Sequence, residues 1–211
     1  MSEVIIRRFI EGVLETNTYI VSKGADCLIV DPTGDSGVLD DYISKNNLTL
    51  CGLLITHGHF DHIGLVKHYR EKGVKAYIGA KDAKMLSSKS NLALAMGIYD
   101  FPYTEADVLL SDGDVFNVAG MEIRAISTPG HTPGGITYLI DEANAMFSGD
   151  TMFRLSYGRT DLYGGDFDML VSSFKKLLPN SKPKIPKILG KCRFIKFHKK
   201  APKSLQNASD I

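Results

Sequence analysis

The chain has no run of about 18 consecutive apolar residues, so no transmembrane helix is expected. Its first eight residues, Met1 to Arg8, lack the basic start and apolar block of a secretory signal, so none is expected. Cysteine is scarce: Cys27, Cys51 and Cys192 are far apart and odd in number. They do not form a disulfide framework and read as reduced thiols of a cytoplasmic protein. Cys27 and Cys51 lie in apolar runs, which predicts burial as small hydrophobes. No internal repeat is evident. The remainder is ordinary for a globular chain: 211 residues, 44% hydrophobic and 23% charged, enough for one domain with a real core.

Charge is unevenly placed. The formal net charge is +1, yet residues 178–211 hold eight lysines, Arg193 and a single acid, Asp210. Removing these from totals of 25 basic and 24 acidic residues leaves 16 and 23 in 1–177, so the body is at −7 and the tail at +8. The tail also holds four of the eight prolines. This shift divides the chain into a body, 1–178, and a basic tail, 179–211. A basic tail can attract phosphate backbones. Only Phe194 and Phe197 interleave its charges, and the body is acidic, so no nucleic-acid partner is expected.

Apolar spacing predicts strands at 4–10, 18–22, 27–30, 50–55, 76–78, 108–110, 115–118, 121–127, 136–140 and 145–147. Helical spacing follows Ser36, a candidate cap, and recurs from Ile63 to a stop at Gly73, over 82–88 and over 167–178. Residues 89–104 have no clear period and read as a connecting loop. The order strands, helices, strands, helix suggests two similar halves, hence two sheets with helices on their outer faces.

Three of the six histidines fall within six positions: His57-Gly58-His59-Phe60-Asp61-His62. Packing alone does not cluster imidazoles, whereas histidine is the commonest metal ligand. Three further segments share the form of a strand end followed by a polar residue in a turn: Thr128-Pro129-Gly130-His131, Ser148-Gly149-Asp150 and Val30-Asp31-Pro32. His57 and His59 are two apart, so both point to one side of an extended segment. Asp61 continues that alternation, and His62 turns away as a helix begins. His131 would complete a three-nitrogen set for a first metal. Asp61 and His62 would serve a second, with Asp150 bridging. Three protein ligands plus an open position suit catalytic zinc, and two adjacent ions can hold and deprotonate a bridging water. Asp31 is either a group behind the ligands or a routine turn residue before proline. His68 reads as a helix-surface residue and His198 as a residue of the basic tail.

The histidine cluster, Pro129-Gly130-His131-Thr132-Pro133-Gly134 and Ser148-Gly149-Asp150-Thr151 resemble the signatures of the metallo-β-lactamase superfamily. Gly158-Arg159-Thr160-Asp161 and Gly164-Gly165-Asp166 resemble its short bacterial glyoxalase II-like members. The resemblance covers roughly residues 4–180. It implies an α/β fold, an αββα sandwich of two mixed sheets, with a binuclear site at one edge. It implies that His57, His59 and His131 bind the first metal, that Asp61 and His62 bind the second, and that Asp150 bridges. The expected metal is zinc, two ions in the family pattern, with iron or manganese as alternatives. The expected substrate is a small thioester, hydroxyacylglutathione-like or a related ester, attacked by hydroxide formed on the metals. Asp61 and Asp150 are the residues expected at the chemistry. Arg154, Tyr157 and Arg159 follow the bridging aspartate and are candidates either to meet an anionic substrate or to serve structure.

The resemblance ends after the last long helix. Such proteins usually continue into a strand and Pro-Gly-His-Gly, whose histidine completes the second metal site. Here residues 185–190 read Ile-Pro-Lys-Ile-Leu-Gly, with no histidine. A shifted reading frame would give such an end, and so would a divergent tail in which His198 supplies the ligand. Two other readings follow. Two histidines and a carboxylate, as in His57, His131 and Asp150, suit the mononuclear iron of the superfamily's persulfide dioxygenases. A metal-binding protein with impaired activity is the non-enzymatic reading.

Overall fold

The computed structural model describes residues 2–153, 155–178 and 187–190. Arg154, Cys192, His198 and nearly all of the basic tail lie outside the described residues. The chain opens with β1 (Val4–Glu11), β2 (Thr16–Lys23) and β3 (Asp26–Val30), then α1 (Ser36–Lys45) and β4 (Thr49–Ile55). Two short helices, α2 (Phe60–Ile63) and α3 (Val66–Glu71), precede β5 (Ala76–Gly79). A run of 3₁₀ turns leads to β6 (Val108–Leu110). The second half holds β7 (Val115–Val118), β8 (Met121–Ser127), β9 (Ile136–Ile140), β10 (Ala145–Gly149), α4 (Phe167–Leu177) and β11 (Lys187–Gly190).

The strands form two sheets, ordered β1-β2-β3-β4-β5-β6 and β11-β10-β9-β8-β7. Both are mixed. In the first, β3, β4, β5 and β6 run parallel and the β1–β2–β3 meander is antiparallel. In the second, only the β10–β11 pair is parallel. Alternation along each strand explains the layers. On β2 and β3, Tyr19, Val21, Leu28 and Val30 face the second sheet and pack with Ile123, Tyr138, Ile140 and Phe147. Ile20, Cys27 and Ile29 face the other way and pack with Leu39 of α1 and Val66 and Tyr69 of α3. Both faces of the first sheet are buried, which is why its central strands read as continuous apolar runs. On the outer face of the second sheet, Leu139 and Met146 pack against Leu177 of α4. The order is helix, sheet, sheet, helix, as the resemblance implies.

Local chemistry sets several boundaries. The helix after β3 is capped by Asp35, whose Oδ1 accepts from Gly37 N at 2.8 Å, and not by Ser36, which is its first helical residue. The helix expected from Ile63 onward is divided into α2 and α3, with Gly64 and Leu65 between them. Residues 83–87 form a 3₁₀ turn rather than a full helix. The β7–β8 hairpin turns on Ala119 and Gly120, both at positive φ (54° and 67°), as a two-residue hairpin requires. Cys27 is buried as expected, but Cys51 is exposed. The β3–β4 register passes from Cys27–Leu50 to Leu28–Gly52, so Cys51 is the extra residue of a bulge near the start of β4. Strand β11 has no apolar signature in its Lys-Pro-rich surroundings and is not predicted from spacing. Among the described residues, no helix is long and apolar enough to cross a membrane.

Candidate metal centre

The candidate ligands lie where strands of both sheets end. β4 runs into His57, β8 leads to His131 and β10 leads to Asp150. His57, His59, His62 and His131 are all buried. His57, His59 and His131 each offer a nitrogen within 4.8 Å of the others, and His57, His62 and Asp150 form a second such group. His57 therefore belongs to both. Asp150 spans them: its Oδ1 is 3.2 Å from His62 Nε2 and its Oδ2 is 3.7 Å from His131 Nε2. Asp61 Oδ2 lies 3.5 Å from His62 Nε2 and accepts from Thr16 Oγ1 at 2.8 Å. All six predicted ligands thus share one cleft edge.

The hydrogen bonds fix which nitrogen each ring turns inward. Thr56 Oγ1 donates to Asp31 Oδ2 (2.8 Å), so it is left to accept from His57 Nδ1 (3.1 Å). His57 Nε2 then carries a lone pair, and it is buried with no hydrogen-bond partner among the described residues. His131 Nδ1 donates to the Arg159 carbonyl at 2.7 Å, which leaves its Nε2 as an acceptor 2.9 Å from His59 Nδ1. His62 Nδ1 donates to Asp31 Oδ2 at 2.8 Å, turning its Nε2 toward Asp61 and Asp150. A metal-ligating imidazole is oriented in this way, with its other nitrogen held by a carboxylate or carbonyl.

Electrostatics separate the rings. Burial, reinforced by the neighbouring imidazoles, holds His57 well below its ordinary range and takes His59 to about 3, so both rings are neutral, as a metal ligand must be. Burial also opposes charge on His62, but Asp61, Asp31 and Asp150 outweigh it and raise that ring to about 10. An unpaired buried lone pair, neutral imidazoles and a spanning carboxylate together suit a divalent metal ion. Tetrahedral bonds of about 2.1 Å separate ligand atoms by about 3.4 Å, comparable to the spacings here.

Two aspartates stand behind the ligands. Asp31, which the sequence leaves open between two roles, is buried at φ 51° and accepts from Thr56 N, Thr56 Oγ1 and His62 Nδ1, each at 2.8 Å. Asp82 is fully buried, and nothing in the sequence singles it out. Its Oδ2 accepts from Gly58 N (3.2 Å) and its Oδ1 from Gly134 N (2.7 Å). Burial raises its pKa against those bonds.

The other candidates have structural partners. Arg159 places its guanidinium on Asp161 through bonds of 2.7 and 2.8 Å. Tyr157 packs against Phe167 and Phe174. His68 lies in α3 with Nε2 3.3 Å from Asp40 Oδ2. At the far end, β11 brings Gly190 opposite Gly149, where its carbonyl accepts from Asn17 Nδ2 (2.6 Å) and Tyr19 OH (3.2 Å). This strand lines a small cavity beside His62 with Leu189 and Gly190, neither of which offers a ligand side chain.

Fold and site together define a metal-binding αββα protein. The chain belongs to the metallo-beta-lactamase superfamily, whose family model matches residues 12–185. It is 33% identical over 175 residues to the probable metallo-hydrolase YqgX of Bacillus subtilis, covering 82% of each chain. It is 34% identical over 155 residues to the hydroxyacylglutathione hydrolase GloC of Haemophilus influenzae, covering 72% of this chain and 73% of that one. Among solved structures, it resembles the B3 metallo-beta-lactamase BLEG-1 with a TM-score of 0.80 and 29% identity, covering 89% and 91% of the two chains. It also resembles TTHA1623 in a di-iron-bound form, with a TM-score of 0.76, 29% identity and coverage of 88% and 91%.

Proposed function

We propose that this chain is a metal-dependent hydrolase that cleaves a small thioester of the hydroxyacylglutathione class. The observation that carries this reading is the Asp150 carboxylate, with one oxygen toward His62 and the other toward His131. Kinship with a hydroxyacylglutathione hydrolase supports the choice of substrate class. His57, His59 and His131 would hold one ion. His62 and Asp61 would hold a second, with Asp150 shared between them. Divalent ions held there would supply Lewis acidity, lowering the pKa of a coordinated water and polarising the thioester carbonyl.

The chain's own residues do the rest. Thr16 fixes the Asp61 carboxylate, which orients the attacking water. Asp31 keeps a proton on His62 Nδ1, so that Nε2 stays directed inward. The Arg159 carbonyl does the same for His131. Net reaction consumes one water, breaks the carbon–sulfur bond and releases a carboxylate and a thiol.

Hydrolysis of lactoylglutathione by protein loaded in turn with zinc, iron or manganese tests this. Saturable, chelator-sensitive thioester cleavage is expected. Absence of cleavage with two ions bound per chain would refute it. Oxygen uptake with glutathione persulfide, in place of hydrolysis, would assign the chain to mononuclear iron chemistry instead.

A further inference from the structure

We propose that Asp82 is a positioning residue that sets the separation of the two loops carrying His57, His59 and His131. This rests on reading those histidines as a metal site. The two loops come from different sheets, one following β4 and one following β8. A three-nitrogen site tolerates only a few tenths of an ångström of misplacement. Asp82 lies on neither loop. It begins the 3₁₀ turn that follows β5 and gives one carboxylate oxygen to each loop.

Both donors are backbone amides, so the tie acts on the path of the chain rather than on a rotamer. Gly58 stands between His57 and His59, and Gly134 stands three residues past His131. Both approaches need glycine. A Cβ on Gly134 would lie 2.6 Å from Asp82 Oδ1 and 2.3 Å from Asp82 N. A Cβ on Gly58 would lie 2.4 Å from the Cβ of Met85, on the same 3₁₀ turn. Only a carboxylate suits the junction, because it accepts from both amides and offers no donor. An asparagine would turn its NH₂ toward one of them.

The test is cobalt(II) titration of the full chain after chelator treatment. Affinity is read by chelator competition, and ligand geometry by the visible absorption bands. Asp82→Asn is compared with Asp107→Asn. Asp107 also accepts a backbone amide, from Ala76, but at the opposite end of β5. Asp82→Asn is expected to weaken cobalt binding about 10- to 100-fold and to alter the bands, as loss of a group behind a metal ligand does. Asp107→Asn is expected to lower stability while leaving affinity and bands unchanged. Wild-type affinity and bands in Asp82→Asn, whatever its melting temperature, would overturn the proposal. If Asp82→Asn does not fold, Asp82→Glu is read by the same two criteria. Failure of the wild-type chain to bind cobalt would overturn the metal-site reading itself, and this proposal with it.

Discussion

Asp31 and His62 are joined by a 2.8 Å bond from His62 Nδ1 to Asp31 Oδ2, with both groups buried. The same oxygen accepts from Thr56 Oγ1, which in turn accepts from His57 Nδ1. One carboxylate therefore orients two imidazoles, one of them through a hydroxyl. Asp31→Ala would leave three buried donors, Thr56 N, the Thr56 hydroxyl proton and His62 Nδ1, without their acceptor. A stability loss of about 3 kcal/mol is expected, together with a 10- to 100-fold loss of metal affinity. Urea denaturation and chelator competition check the two effects separately. An unchanged affinity would show that Asp31 serves the fold alone.

Asp107 supplies a pH-dependent contribution away from the centre. Its oxygens accept from Arg70 Nε (2.7 Å), an Arg70 terminal nitrogen (2.6 Å) and Ala76 N (2.8 Å). Those Arg70 bonds hold its carboxyl below the ordinary 3.8, with burial acting against them. A folded pKa below the unfolded one stabilises the protein above 3.8, and that gain is lost as pH falls through the lower folded value. Asp107→Asn should therefore cost about 1–2 kcal/mol at neutral pH. The gap to wild type should close in acid. Denaturation curves at pH 7, 5 and 3 check it; a gap that widened toward acid would contradict the assignment.

Tyr138 ties the two sheets beside the site, its hydroxyl donating to the Ile55 carbonyl at 2.8 Å from within the inter-sheet core. Tyr138→Phe keeps the ring and removes the bond. The expected cost is about 1 kcal/mol, or about 2–4 °C in Tm for a chain of this size. Calorimetry that finds no change would assign the hydroxyl no net contribution.

The central strands of the first sheet are legible in sequence because both of their faces are buried, as Cys27-Leu28-Ile29-Val30 shows. The candidate ligands are legible because imidazoles crowd at strand ends. Asp31 was half legible: Asp-Pro marks a turn, and only the fold brings Thr56 and His62 to it. Asp82 was not legible at all. It reads as an ordinary helix start, and its partners Gly58 and Gly134 lie 24 and 52 positions away. Strand β11 was hidden for a related reason, since parallel pairing with β10 rather than apolar spacing defines it. Cys51 is exposed despite its apolar neighbours because a bulge breaks the alternation that would bury it.

His57 lies within reach of both ligand groups, but its one inward lone pair serves a single ion, whereas Asp150 turns one oxygen toward His62 and the other toward His131. This predicts an unequal response to single substitutions. His62→Ala should keep one ion in the group of His57, His59 and His131. His59→Ala should weaken that group and spare the other. His57→Ala should behave like His59→Ala, because one imidazole lone pair serves one ion, whereas Asp150→Ala should remove a ligand from both groups and leave the least metal. Each lost ligand should weaken its own group by more than roughly 100-fold, beyond what loss of a supporting residue costs. Elemental analysis after equilibration with one and two equivalents of metal reads the stoichiometry. Circular dichroism confirms that each variant is folded. If Asp150→Ala retained as much metal as His62→Ala, Asp150 would not be common to both groups, and the centre would be two independent sites rather than one joined through Asp150.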